Sequence, residues 1–327
     1  MAIVDLRQIS SRQIESLLAE ESQHWREELH WDYRPSLNLI KKFVDARSLA
    51  GCAAMENGRA LGYSFYVVED HKALIGGLHV SAQSHQLPLA RQLLESVLET
   101  LRAIPGIERI EAQLIPFGFD FDGTLSDLGF RVYPRQFMLL DLARAKLPAA
   151  PPSSPGLLLE RWDARQFGAC ARLIQLAYAN HTDGEINDQY RSEAGALKFL
   201  KNIIILPGCG QFLAPASFVL RAPHSHELIG VILTSTVAPG TGHTTQICIM
   251  PGYQRRGLGQ RLIGATIAAL RERGCSALSL TVTSSNTNAV QLYDRIGFHT
   301  IKRFTAGVWL PAARGWSGLS GGLSARP

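Results

Sequence analysis

Twice along this chain, apolar and polar positions follow the same succession. In the second half, Leu228–Val237 and Thr244–Met250 are continuous β-rich runs of strand length. Leu258, Leu262, Ala265 and Ala269 then recur at helical spacing and predict a helix from Leu258 to about Arg273. Ala277–Val282 reads as a further strand and Asn288–Ile296 as a short helix, before Gly297-Phe298 leads into strands ending near Leu310. In the first half, Leu61–Val68 and Leu74–Val80 read as strands. Leu89, Leu93, Val97 and Leu101 mark one face of a helix over Gln86–Ile104, although Pro88 limits where it can start. Ile107–Leu114 is a strand, and Leu128-Gly129-Phe130 precedes a last one, Gln136–Leu142. Val80 to Phe130 spans 50 residues, and Ile249 to Phe298 spans 49. Shared order and spacing predict a duplicated mixed α/β unit rather than two unrelated folds.

Between the repeats, Arg144–Gly156 holds four prolines in thirteen residues, as an extended interdomain linker does. The expected layout is a first unit at 1–147, a Pro-rich linker at 148–155, a second unit at 156–310 and a flexible Gly/Ser-rich tail at 311–327. Apolar residues make up 46% and charged residues 19%, enough to bury a core and too apolar for a disordered chain. No stretch approaches the roughly 20 apolar residues of a membrane span. Asp5 stands where a secretory signal would be basic, and five scattered cysteines form no C-x-x-C pair. A cytoplasmic chain with no membrane contact, disulfide framework or thiolate metal site is expected.

Charge is divided unevenly. Residues 1–150 carry 16 Lys and Arg against 19 Asp and Glu, whereas residues 151–327 carry 17 against 9. A half at +8 beside one at −3 suggests that the second unit handles a polyanion. Its arginines are not interleaved with aromatics as in a nucleic-acid module, so no nucleic acid is expected and a phosphate-bearing cofactor is preferred.

The segment Ile249-Met250-Pro251-Gly252-Tyr253-Gln254-Arg255-Arg256-Gly257-Leu258-Gly259-Gln260 fits that preference. A strand ends, a turn follows, and a helix opens beside two glycines and two arginines. Helix N-terminal amides with the positive end of the dipole make an anion site, and glycines let the backbone approach a pyrophosphate. The dinucleotide fingerprint fails because Leu262 stands where its third glycine belongs, and no Gly-Lys-Ser/Thr marks a P-loop. Gly257 and Gly259 would equally suit tight strand–helix packing.

Taken in order with Asn286-Thr287-Asn288-Ala289-Val290-Gln291-Leu292-Tyr293 and Gly297-Phe298, the pattern I-x-I-x-P, Q-R-R-G-L-G, S-N-x-x-A-x-x-L-Y and G-F resembles the Gcn5-related N-acetyltransferase (GNAT) superfamily over residues 156–310. The resemblance implies two tandem domains, each a twisted mixed sheet flanked by helices, whose central strands splay apart to admit acetyl-CoA. It implies that the main chain of Ile247, Cys248 and Ile249 holds the pantetheine arm and acetyl carbonyl. It further implies that Gln254, Arg255, Arg256, Gly257, Leu258, Gly259 and Gln260 cradle the pyrophosphate, that Asn286 bonds the cofactor arm, and that Tyr293 protonates the departing thiolate. Such an enzyme would move acetyl to a primary amine of a small molecule or peptide N-terminus. The alternative is a non-catalytic acetyl-CoA sensor.

The pattern departs at the general base. In the branch acting on ribosomal-protein N-termini a glutamate precedes the equivalent of Asn286 by five positions; here that position is Thr281. The strand before the loop offers His243 and Gln246, and a histidine can deprotonate an ammonium. His181, Asp183, Glu185 and Asp188 lie where the family's substrate loop runs, either selecting a cationic amine or forming a solvated loop, with no metal-ligand spacing. Cys248 reads as a small buried residue, and His224 and His226 as surface residues at a hairpin turn. The first unit has Gln83-Ser84-His85-Gln86-Leu87-Pro88 in place of the loop, lacks both glycines, and carries Tyr133 after rather than before its Leu-Gly-Phe. It is therefore expected not to bind acetyl-CoA in the usual way. It would support the active unit, close over its cleft, or bind a protein partner through aromatics such as Trp25, Trp31 and Tyr33, although such aromatics are more often core packing.

Overall fold

The computed structural model describes residues 1–147, 156–223, 225 and 227–311. The linker expected at 148–155, all but Pro311 of the tail, and His224 and His226 lie outside them.

The first unit runs β1 (Ala2–Asp5), α1 (Ser11–Leu29), α2 (Arg34–Asp45), β2 (Ala50–Glu56), β3 (Arg59–Glu69), β4 (Lys72–Val80), α3 (Gln86–Ala103), β5 (Arg109–Leu114), α4 (Asp122–Asp127) and β6 (Arg131–Asp141). The second runs β7 (Leu158–Arg161), α5 (Phe167–Tyr178), α6 (Thr182–Ile186), α7 (Glu193–Ile205), β8 (Gln211–Phe212), β9 (Phe218–Arg221), β10 (Leu228–Ala238), β11 (Thr241–Ile249), α8 (Leu258–Arg271), β12 (Ala277–Thr283), α9 (Thr287–Ile296) and β13 (His299–Trp309). The segment from β4 to β6 repeats from β11 to β13. α3 tolerates Pro88 because first-turn amides have no intrahelical acceptor to lose.

Each repeat pairs two strands in parallel and then lets them part. β4 and β5 pair from Lys72↔Arg109 to Ile75↔Ala112, and β11 and β12 from Thr241↔Ala277 to Thr244↔Leu280. A register shift in β10–β11 skips Thr245 just where pairing with β12 ends. Past that point one main-chain edge of β11 faces a gap, the feature that builds the site.

The two sheets are one. Strand order is β1-β2-β3-β4-β5-β13-β6-β12-β11-β10-β9-β7, with β8 on β10. The last strand of each unit pairs into the other's half: β6 lies against β12 from Arg135↔Thr283 to Asp141↔Ala277, and β13 against β5 from Thr305↔Leu114 to Trp309↔Ile110. β6 starts at Arg131 rather than Gln136. Pro134 is accommodated within it because its β12 neighbour has already ended at Thr283, so a missing amide costs no bond on that side.

Separate cores flank the sheet. α3 buries Leu89, Leu93, Leu94, Val97 and Leu101 against the first half, and α8 buries Leu262, Ile263, Ile267 and Leu270 against the second. Between the units, Leu29, Trp31, Phe117, Phe137, Val237 and Phe304 form a shared cluster, with Trp25 stacked on Tyr33 at 4.3 Å beside it. Of the two readings of Trp25, Trp31 and Tyr33, core packing is the one seen here.

Glu21 is buried in this junction, accepting from Tyr63 Oη at 2.6 Å and Trp25 Nε1 at 3.4 Å. Burial outweighs both bonds and raises its carboxyl to about 7. Folding thus favours the neutral form: stability is complete below about pH 4.5, falls as pH rises towards 7, and levels beyond. By linkage the loss is up to about 3 kcal/mol. Glu21→Gln is expected to flatten it, read as a smaller fall in Tm between pH 5 and pH 8; an unchanged fall contradicts the assignment.

Candidate active site

Where β11 and β12 part, two cavities meet. One of about 590 Å³ lies against the loop before α8, and one of about 260 Å³ lies against α6 and the turn that follows it. Tyr178, Ile247, Asn286 and Tyr293 line both.

The loop is shaped by two left-handed residues, Arg255 at φ 59° and Gly257 at φ 74°. Glycine takes that conformation freely, whereas arginine takes it at a cost, as residues at functional sites often do. Among the described residues, no main-chain carbonyl accepts from the amides of Arg255, Arg256, Gly257, Leu258 or Gly259. They stand at the positive end of the 14-residue helix α8, an anion site. A Cβ on Gly259 would stand 3.4 Å from the Leu292 side chain, an ordinary contact, so the packing of α8 on α9 does not itself require glycine there. Ile247, Cys248, Ile249, Gln254, Arg255, Gly257, Leu258, Gly259, Gln260, Asn286 and Tyr293 all line the larger cavity. Arg256 does not; it lies over the Tyr253 ring at 5.4 Å. Two strand carbonyls are held by side chains, that of Ile247 by Tyr178 Oη at 3.1 Å and that of Ile249 by Gln254 Nε2 at 3.1 Å.

Tyr293 is 6% exposed, and among the described residues nothing hydrogen-bonds its hydroxyl. Burial, with the negative charge of Asp183 adding to it, pushes its phenol above the usual range. It is a protonated donor at neutral pH. The Cys248 thiol is also raised, by burial in a core shared with Cys170, which favours the unreactive protonated form.

The expected bases are placed otherwise. His243 is 6% exposed, its Nδ1 lies 2.9 Å from Ser279 Oγ, and it packs against Trp31 and Phe137. Burial depresses it to about 3, so it is a neutral, weakly basic ring at the cavity floor. Gln246 is buried too, donating to Tyr178 Oη at 3.2 Å and accepting from Tyr190 Oη at 3.3 Å. It orients two tyrosines and has no proton-accepting carboxylate.

The 181–188 cluster is divided. Asp183 lines the smaller cavity with its side chain 18% exposed and accepts from the Thr283 hydroxyl. It adds negative charge beside the Tyr293, Tyr178 and Tyr190 phenols. His181 Nε2 lies 3.3 Å from Asn286 Nδ2 at the cavity rim. Glu185 turns outward to Tyr133 Oη, which donates to it at 2.7 Å. Asp188 pairs with Lys72 of the first unit, whose Glu111 accepts from the Asp188 amide at 3.1 Å. Arg109 donates to the carbonyls of Glu185 and Ile186. The loop bearing Asp183 is thus fastened by charges of the first unit, a long-range arrangement that periodicity does not reveal. Tyr178 and Tyr190, absent from the expected set, end up at the site for the same reason.

In the first unit a cavity of about 230 Å³ also lies where β4 and β5 part, lined by Gly76, Gly77, Leu78, Gln113, Leu114 and Ile115, and side chains occupy the loop before α3. Gln86 Nε2 reaches the carbonyls of Val80 and Phe117, both at 3.3 Å, strapping the parted strand ends. Glu20 accepts from the Ala82 amide at 2.6 Å and the Ser81 hydroxyl at 2.9 Å, putting a carboxylate into the loop. Among the described residues, no group of three or more His, Cys, Asp or Glu is placed to hold a metal ion, and no helix is long and apolar enough to cross a membrane.

Residues 185–298 match the acetyltransferase (GNAT) family. Mycothiol acetyltransferase of Saccharopolyspora erythraea is 34% identical over 84 residues, 26% of this chain and 28% of that protein. The [ribosomal protein bS18]-alanine N-acetyltransferase of Escherichia coli is 44% identical over 59 residues, 17% of this chain and 40% of its own length. The chain therefore spans well under two thirds of either relative. Among solved structures, a tandem GNAT protein from the clavulanic acid biosynthesis pathway shares the fold with a TM-score of 0.64 at 13% identity, covering 94% of this chain and 98% of its own.

Proposed function

We propose that the chain, whose residues 185–298 match the acetyltransferase (GNAT) family, moves acetyl from acetyl-CoA to a primary amine by direct attack in a ternary complex. What supports this most is the meeting of two cavities at Tyr293: unpaired helix-end amides on one side, the Asp183 carboxylate on the other. The amides of Arg255 to Gln260, with the Arg255 guanidinium, hold the pyrophosphate, and Asn286 with the 247–249 main chain holds the pantetheine arm. Asp183 takes the proton that the acceptor ammonium must shed before attack. The β11 edge beyond the fork offers amides to the oxyanion that develops on the carbonyl. Tyr293 donates its proton to the departing sulfur. The first unit, its own loop blocked by Gln86 and Glu20, binds no acetyl-CoA and serves to hold the acceptor loop.

Thiol release from acetyl-CoA in the presence of a primary-amine panel tests this. Tyr293→Phe is expected to lower kcat about 100-fold with acetyl-CoA affinity nearly unchanged. Wild-type turnover by that variant across the pH range would remove Tyr293 as the acid. Cofactor binding without turnover of any amine would favour the sensor instead.

A further inference from the structure

Resting on the acetyl-transfer reading, we infer that the acceptor carries an anionic group, a carboxylate or a phosphate, near its amine, and that Arg135 of the first unit receives it. β6 carries Arg135 into the second half of the sheet, opposite Thr283, whose hydroxyl donates to Asp183. Arg135 and Gln113, both from the first unit, line the smaller cavity together with Asp183, Tyr190, Gln246 and Tyr293.

The guanidinium is held but not neutralised. Its Nη1 donates to Gln113 Oε1 at 2.5 Å, and its carbon lies 6.0 Å from the centre of the Phe304 ring. Its Nε is buried with no partner. Other cations of the first unit at this junction, Lys72, Arg109 and Arg131, each meet a carboxylate; among the described residues, none meets Arg135. The guanidinium is partly exposed, but its buried Nε is left without an acceptor, a cost that an arriving anion offsets. Its planar donors match a carboxylate or phosphate in two parallel bonds.

Asp183, which has the Thr283 hydroxyl and the His181 ring at 3.6 Å beside it, and Arg135, which meets no carboxylate among the described residues, thus offer one charge of each sign in a single small space. The cavity, about 260 Å³, is below the ~300–1,000 Å³ of ordinary ligand pockets. Its occupant is accordingly a small zwitterion, or the zwitterionic end of a larger molecule, with cation to Asp183 and anion to Arg135.

The test uses the full chain with matched pairs: L-amino acids against their amides, and O-phosphoethanolamine against ethanolamine. Wild type is expected to favour at least one anionic class by tenfold or more in kcat/KM, which also separates carboxylate from phosphate. Arg135→Gln is expected to abolish that preference, and Arg135→Lys to restore part of it. Equal or better turnover of the neutral members by wild type, or a preference that survives Arg135→Gln, overturns the inference. Equilibrium binding of the same pairs is measured alongside. Anion-selective binding that Arg135→Gln removes, with no turnover, keeps the anion site and sinks the transferase; turnover without anion selectivity does the reverse.

Discussion

Gly257→Glu is expected to weaken acetyl-CoA binding by about 100- to 1,000-fold while the chain stays folded. The substitution adds a carboxylate where α8 presents its free amides and positive end, replacing attraction by repulsion and obstructing two or more charge-assisted bonds worth about 1.5–3 kcal/mol each. It also places a side chain at φ 74°, which costs about 1–2 kcal/mol in local strain. Gly257→Ala separates the two effects: it carries the strain without the charge and should lose far less affinity for a similar fall in Tm. If Gly257→Glu binds acetyl-CoA as wild type does, the pyrophosphate is not held at this loop.

Asp183→Asn should lower kcat by about 100- to 10,000-fold, the span that a positioned acid or base contributes. The amide keeps the shape and can still accept from the Thr283 hydroxyl, so acetyl-CoA affinity should hold. The lost function is deprotonation of the acceptor. Raising pH towards the amine's own pKa supplies free base from solution, so the variant should recover relative to wild type as pH increases. Turnover within threefold of wild type at neutral pH would return the search to the other groups around the cavity.

The turn before α8 and the two helices beside it were readable as local structure because each depends on neighbours close in sequence. Glycines at 257 and 259, arginines at 255 and 256, and the apolar stripe of α8 determine a local shape. The duplicated order of strands and helices was readable for the same reason. Exchange of β6 and β13 was not: both are long β-rich strands that could pair within their own unit, and only the whole sheet decides their partner. His243 shows the same limit. Its residue type fits a base, but Trp31 and Phe137, over a hundred residues distant in sequence, bury it and depress its basicity. Asp183 sits in a polar run that reads equally well as a solvated loop. Its selection follows from Lys72, Arg109 and Glu111, which fasten its neighbours and leave this carboxylate facing the cavity. On the proposed reading, the tandem architecture supplies the acceptor side of the site, while the cofactor side stays with one unit.

Calorimetric titration of the full chain with acetyl-CoA tests the central claim most directly, since it reads affinity and stoichiometry together. One site per chain, lost in Gly257→Glu, is the predicted result. Two sites would mean that the first unit's strapped fork opens to cofactor, and no binding would remove the acetyltransferase account altogether.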